Sequence, residues 1–394
     1  MYTINIMQSL FILGRQPALG LAELESLYGA KNLHPAGPQA ALLDVEPRHV
    51  DFNRLGGCIK LAQVQTELPT TSWRDIESYL LKSVPNILDS LPEGKLKLGL
   101  STYGLRASAS EINASGLRIK KVIKEAGRSV RIVPNKSASL NSAQILHNQL
   151  TSPLGIEILA YREGSKTLIC QTVAEQDIEA YAARDQNRPK RDAKVGMLPP
   201  KLAQIIINLT APTADATVLD PFCGTGVVLQ ESLLMGYSVY GTDLEPRMIE
   251  YSRANLDWLH QRYDGNFGIQ LEPGDATTHT WKPAPSVVAG ETYLGKPLSK
   301  EPDETLLHTI MQECDRIHRG ALSNLHKQLP QGTRLCLAVP AWKYKKGFQH
   351  LKTLDYLREL GYNRIEFRFA RKEELIYFRE DQLVARELVV LVKN

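Results

Sequence analysis

The chain has 394 residues, 43% hydrophobic and 23% charged, an ordinary globular balance with room for two or three domains. Its 47 Lys and Arg against 43 Asp and Glu leave a net charge of +4, too mild to argue for nucleic acid without local concentration. The five cysteines form no CxxC pair, which argues against a zinc knuckle or a disulfide framework and favours a reducing, cytoplasmic setting; no run of eighteen apolar residues suggests a membrane span.

The opening MYTINIMQSLFILG carries no basic leader and reads as a first strand rather than a signal peptide. Residues 1–55 form a small α/β region, with strand LFILG (10–14) and helix LAELESLYG (21–29) closed by Gly29. Residues 56–173 form a second block. KLKLGLSTYG (95–104) alternates as a strand, GLRIKKVIKEAG (116–127) is helical, SVRIVP (129–134) is a strand and LNSAQILHNQL (140–150) a helix. IEILAYREGSKTLICQTV (156–173) reads as two strands around a turn. Residues 174–200 are polar and proline-bearing, as a linker would be; the cations Arg184, Arg188, Lys190, Arg191 and Lys194 are nearly balanced by acids and receive no separate role.

From 201 to 394 strands and helices alternate. Helix 201–210, strand TVLD (217–220), helix 227–236, strand 237–243 and helix 246–263 come first. Strands 268–276 and 285–291, a long helix within 303–329, strand 333–339, helix 350–361, strand 364–370 and strand 385–392 complete the series. Repeated βα units predict a doubly wound, mostly parallel sheet of the Rossmann-like kind with an antiparallel edge strand.

The stretch TVLDPFCGTGVVLQESLLMG (217–236) leaves an apolar strand, turns on glycines and enters a helix directly. Gly224 and Gly226 allow the tight turn and let a ligand approach backbone amides at the helix start. The pattern is neither GxxxxGK[ST] nor GxGxxG, so a phosphate loop and a dinucleotide fingerprint are both excluded. Asp220, Asp243 and Asp275 fall at three successive strand ends. Acids there favour a nucleoside bearing positive charge, and S-adenosylmethionine, with its sulfonium and amino groups, fits better than an anionic dinucleotide. Cys223 lacks a partnering His or second Cys nearby and reads as packing rather than as a nucleophile.

VLDPFCGTG, GTDLEP and PGDA resemble the first three motifs of class I methyltransferases. DPFCGTG, the segment RDQNRPKRDAKVGMLPPKLAQIIINL (184–209), FILGRQPALGLAELESLYG and YFREDQLVARELVVL (377–391) are similar to the THUMP-domain tRNA guanosine-N2 methyltransferases. That resemblance implies an N-terminal α+β ferredoxin-like and THUMP module gripping tRNA. It also implies a catalytic domain that transfers methyl from S-adenosylmethionine to the N2 amine of a guanosine, with guanosine-10 the family's usual target. The expected cofactor set is Asp220, Phe222, Gly224, Gly226, Asp243, Leu244, Asp275 and Ala276.

Amino-methylating relatives place [DN]PPY after the fourth strand. An exocyclic amine is a weak nucleophile because its lone pair delocalises into the ring. An acceptor that holds its hydrogens frees that pair, and an aromatic stacks on the flipped base. Here the segment is SVVAGETYLGKPL (286–298), without the prolines; Glu291 is the candidate acceptor and Tyr293 the candidate stacking residue. The departure leaves three readings open. One is methylation of guanosine N2, one is methylation of another base amine (adenine N6 or a ribosomal guanine N2), and one is a tRNA-binding protein without catalysis. No metal is called for, since the methyl group is already activated, and a small activating protein partner stays open.

RNA contacts fall to a basic run. GLRIKKVIKEAGRSVRIVPNK (116–136) holds Arg118, Lys120, Lys121, Lys124, Arg128, Arg131 and Lys136 against the single acid Glu125. Ile119, Val122, Ile123 and Ala126 would form the opposite, apolar face. WKYKKG (342–347) interleaves aromatics with Lys343 and Lys345 and could also meet RNA. His147 reads as structural or surface-lying.

Overall fold

The computed structural model describes residues 8–88, 91–192, 197–263, 265, 268–298, 300–344, 347–380 and 382–394. The chain divides into two compact units. The first comprises Met1–Pro17, Lys31–Asn53 and Cys58–Glu179; the second comprises Ala18–Ala30, Arg54–Gly57 and Ala180–Asn394.

The first unit is built on eight strands: β1 (Ser9–Leu13), β2 (Leu33–Pro35), β3 (Ala40–Leu43), β4 (Cys58–Leu68), β5 (Leu96–Tyr103), β6 (Val130–Ile132), β7 (Gly155–Glu163) and β8 (Lys166–Glu175). They form one sheet in the order β2-β3-β1-β4-β8-β7-β5-β6. Strands from before residue 55 and after residue 57 therefore share a single sheet, joined where β1 pairs antiparallel with β4.

The helices are α1 (Pro17–Tyr28), α2 (Trp73–Leu88), α3 (Ala109–Glu125), α4 (Ser142–Asn148), α5 (Ile178–Gln186), α6 (Pro200–Leu209), α7 (Val227–Leu234), α8 (Pro246–His260) and α9 (Glu304–Gln328). β5 is buried along almost its whole length rather than alternating. Ile76, Leu80, Ile112, Ile119 and Ile123 of α2 and α3 cover one face of it, and Leu140 and Leu150 close on Gly99 from the other. α3 begins seven residues before the expected start, because Ser108 and Glu111 form a reciprocal capping box there.

The second unit carries β9 (Thr217–Asp220), β10 (Ser238–Asp243), β11 (Ile269–Pro273), β12 (Val287–Glu291), β13 (Arg334–Tyr344), β14 (Gly347–Gln349), β15 (Tyr362–Arg364), β16 (Ile376–Tyr377) and β17 (Val384–Lys393). The main order is β11-β10-β9-β12-β13-β17-β15, with β14 paired to β13 and β16 to β17. β10, β9, β12 and β13 run parallel, and β17 lies antiparallel between β13 and β15, one place in from the edge. Chain order reverses at β9, which opens a crevice at the carboxyl ends of β9 and β12. Apolar residues of α6 and α7 pack beneath these strands with Val218, Ala289, Cys336 and Leu388.

Two expected elements differ. The segment 350–361 forms only a 3₁₀ turn, Lys352–Tyr356, because the Asp315 carboxylate on α9 takes the Thr353 amide at 2.8 Å and its hydroxyl at 2.9 Å. The strand expected at 364–370 does not form there: β15 covers Tyr362–Arg364 and meets the expected span only at Arg364. The expected linker contains α5, whose Arg184 is buried and paired with the buried Glu231 at 2.9 Å; Lys194 lies outside the described residues.

α1 belongs to the second unit and is fixed there by a buried carboxylate. Glu23 Oε1 accepts from Gly56 N (2.9 Å) and Asn208 Nδ2 (2.8 Å), and Oε2 accepts from Gly57 N (2.8 Å). A glutamine would turn a donor toward one of these donors. Glu23→Gln is expected to lower stability by about 1–3 kcal/mol, read as a reduced urea midpoint with unchanged slope.

Candidate functional site

The parallel register brings Asp220, Asp243 and Glu291 to one edge of the sheet. After Asp220 the chain turns with Gly224 and Gly226 in the left-handed region, at φ 51° and 82°. A Cβ on Gly226 would lie 2.9 Å from Ser252 Oγ, so α8 leaves no room for a side chain there. The turn is held from below: Cys223 N donates to Thr242 O at 2.9 Å, Ser252 Oγ to Gly224 O at 2.8 Å and Asn255 Nδ2 to Thr225 O at 2.8 Å. α7 then starts with Gly226 at its cap and no capping side chain, so its first amides have no side-chain acceptor. Cys223 is buried against Leu229, Leu233 and Val239, a packing residue as its sequence context implies. All five cysteines are buried and free.

Each acid has a distinct setting. Asp220 is fully buried and accepts from Phe222 N at 3.1 Å; burial, with the charges of Asp243 and Glu291 nearby, pushes its carboxyl well above the usual carboxylate range. Asp243 bridges the crevice floor, accepting from Gly224 N and Glu245 N, each at 2.9 Å; burial raises its pKa against those two donors. Leu244 beside it is 73% exposed, a large apolar face next to an acid. Asp275 lies just past β11, exposed, with Oδ1 accepting from Thr277 N at 2.8 Å and Thr277 Oγ1 at 2.7 Å; Ala276 is buried and Phe222 half-buried.

Glu291 ends β12. Burial raises its pKa and Arg386 of β17 opposes the rise, donating Nε–H to Oε1 at 2.5 Å. Oε2 receives no hydrogen bond among the described residues. Arg386 was missed in the sequence, where its signal is an R-E pair inside the otherwise apolar VARELVVLV. Tyr293 is half-buried against the cluster of Ile310, Cys314 and Trp342, and its hydroxyl stands 3.5 Å from Glu313. Between the two, Thr292 is anchored by its amide to Ala338 O at 3.0 Å and by its hydroxyl to His318 Nε2 at 2.6 Å. His318 Nδ1 faces the Cys314 carbonyl at 2.6 Å, which can only accept, so Nδ1 carries the proton and Nε2 accepts from Thr292.

The RNA-binding candidates lie mainly on α3 of the first unit. Lys120 and Lys124 flank Leu117, which is 63% exposed. Lys121 stands 3.9 Å from Glu125, and Arg118 pairs with Glu77. Arg128 is engaged by backbone carbonyls, donating to Leu88 O at 2.7 Å, whereas Arg131 and Lys136 are exposed. Lys343 is exposed near the end of β13, and Lys345 lies outside the described residues. No described helix is long and apolar enough to cross a membrane.

A strand order that reverses at a glycine turn, acids at the neighbouring strand ends and an antiparallel strand inserted beside the last parallel one give the second unit the fold of class I methyltransferases. Residues 188–341 match the family described as UPF0020: RMKL-like, methyltransferase domain. Two similar relatives are each called tRNA (guanine(10)-N2)-dimethyltransferase. That of Methanothermobacter thermautotrophicus is 32% identical over 145 residues, and that of Pyrococcus abyssi 33% over 144. These alignments cover 37% and 36% of this chain and 39% of each relative, so the chain spans about two fifths of the length of the relatives it matches. The crystal structure of TrmN from Thermus thermophilus shares the fold over 98% of this chain and 100% of that one, with TM-score 0.51 and 17% identity.

Burial pulls the pKa of His318 from 6.5 down to about 4. Because the folded value is depressed, its stabilising contribution is present above pH 6.5 and is lost as pH falls toward 4. The loss amounts to about 3 kcal/mol by the bottom of that window. Urea unfolding at pH 7 and pH 4.5 should therefore show a steeper fall for the parent chain than for His318→Gln; equal falls would contradict this setting for His318.

Proposed function

We propose that the chain is an S-adenosylmethionine-dependent tRNA methyltransferase acting on the exocyclic N2 amine of a guanosine, guanosine-10 in particular. The observation that carries the reading is the convergence of Asp220, Asp243 and Glu291 on the glycine turn at one sheet edge. The crevice fits the cofactor on its own chemistry. A Cβ on Gly224 would meet only Phe222 O, at 4.0 Å, so the backbone there lies open; Asp243 stands at the end of β10 beside an exposed apolar Leu244, and the acids around the turn favour a cation. The names of the two similar relatives support the substrate.

In this reading Asp243 holds ribose hydroxyls, Leu244 and Phe222 cover the adenine, and Asp275 with Ala276 meets its amine edge. Asp220, Gly224 and Gly226 border the amino-acid end. The cofactor supplies a methyl group already made electrophilic by its sulfonium. Glu291 accepts a hydrogen bond from the guanine amine through Oε2 and keeps the amine lone pair directed at the crevice; as the N–C bond forms and the S–C bond breaks, the sulfur leaves as the neutral thioether and the amine proton passes to water. Arg386 is a positioning residue that orients Glu291 and favours its charged form against burial, which compensates for the longer side chain in place of the short acid of [DN]PPY. Tyr293 borders the base. The first unit acts as the THUMP-like tRNA grip, with Lys120 and Lys124 of α3 at phosphates, in a cytoplasmic enzyme.

A second reading has one specific observation behind it. Glu291 is already engaged by Arg386, as in a site that binds RNA without transfer. Labelled methyl transfer to unmodified tRNA, followed by mapping of the modified nucleoside, separates the two. Guanosine N2 label is the expected result, and cofactor binding without transfer to any RNA would favour the second reading. Asp243→Ala should weaken cofactor binding at least tenfold by calorimetry. Glu291→Ala should lower turnover by about 10²–10³-fold with cofactor affinity nearly unchanged, and full activity in that variant would remove Glu291 from the mechanism.

A further inference from the structure

The acids at the crevice leave one end of the proposed cofactor unaccounted for. An amino acid carries a carboxylate as well as an ammonium, and Asp220, Asp243 and Glu291 repel it. The compensating charge comes from the segment that the sequence marks as a balanced linker. Arg188 is only 4% exposed, and its Nη1 donates to Thr225 Oγ1, inside the glycine turn, at 3.2 Å. Its Nε and Nη2 are buried and have no hydrogen-bond partner among the described residues.

Buried guanidinium donors are rarely left open, because each loses its water without replacement. Three charged groups influence Arg188: Asp185 and Glu231 favour its charge and Arg191 opposes it. Neither acid bonds to it. Glu231 is occupied by Arg184 at 2.9 Å and Gln204 at 3.0 Å. The placement is also built rather than incidental. Asn255 of α8 receives Lys190 N at 2.9 Å and donates Nδ2–H both to Lys190 O at 2.9 Å and to Thr225 O at 2.8 Å. One side chain thereby pins residues 188–190 against the glycine turn. A desolvated fork of two parallel donors suits a carboxylate, which accepts both at once.

We propose that Arg188 is a ligand-binding residue that receives the α-carboxylate of the cofactor's amino-acid end through Nε and Nη2. This rests on the reading of the crevice as an S-adenosylmethionine site. It divides the cofactor's recognition between two signs of charge: acids for the sulfonium, the ammonium and the ribose, and one buried cation for the carboxylate.

The test uses the full chain and two ligands, S-adenosylmethionine and 5′-methylthioadenosine, which keeps the nucleoside and sulfur but has no amino-acid end. Arg188→Met should weaken S-adenosylmethionine about 10–100-fold by calorimetry and leave 5′-methylthioadenosine within twofold. Arg188→Lys preserves charge without the fork and should give a smaller loss, again confined to S-adenosylmethionine; it carries the test if the methionine variant fails to fold. Equal weakening of both ligands would make Arg188 a support of the turn and overturn the proposal, as would an unchanged affinity for S-adenosylmethionine in a folded variant. If the parent chain bound neither ligand, the crevice reading itself would fall, and the proposal with it.

Discussion

The structure concentrates negative charge where it is hardest to solvate. Asp220 is fully buried, Asp243 largely so, and Glu291 feels both the low-dielectric strand end and its neighbours. Like charges this close disfavour one another's ionisation, and burial adds to the penalty. A fold keeps such an arrangement when something cationic or richly hydrogen-bonding completes it. The rest of the second unit can be understood as the framework holding this edge in place: parallel strands that align the acids, glycines that let the chain turn between β9 and α7, and α8 side chains that brace the turn from behind.

Two buried arginines moderate the field in different ways. Arg386 is consumed by Glu291 and fixes its orientation from the antiparallel β17. This explains why β17 matters to the site although it lies beyond β13 in the sheet: it delivers a cation to the end of β12. Arg188 instead touches the glycine turn with one nitrogen and leaves two donors open. Thr292, next to Glu291, is held by its amide to the Ala338 carbonyl and by its hydroxyl to a neutral His318.

Much of this was legible in the sequence. Periodicity placed the βα repeats of the second unit, and the long helix within 303–329 forms as α9. Asp220, Gly224, Gly226 and Asp243 gather where their spacing implied, because strand ends in a parallel sheet share one edge. What spacing could not give was the third dimension. Whether a linker arginine is solvated or buried depends on α8, sixty residues away, and composition saw only the balance of charge around Arg188. The apolar pattern of 350–361 is helical, whereas Asp315 on α9 takes the Lys352 and Thr353 amides. Likewise α1 follows its neighbours in sequence only to join the second unit, drawn there by Glu23 and Asn208.

The central claim is that the acid-lined edge binds a cation, and the sulfur is the discriminating atom. Calorimetric affinities of S-adenosylmethionine and of S-adenosylhomocysteine, whose sulfur is neutral, would be compared from pH 8 down to pH 5. Protonation of carboxylates with raised pKa values removes the attraction for the sulfonium, so affinity for S-adenosylmethionine should fall with pH, and fall more steeply than that of its neutral homologue. Parallel pH profiles, or no binding of either molecule at any pH, would contradict the account.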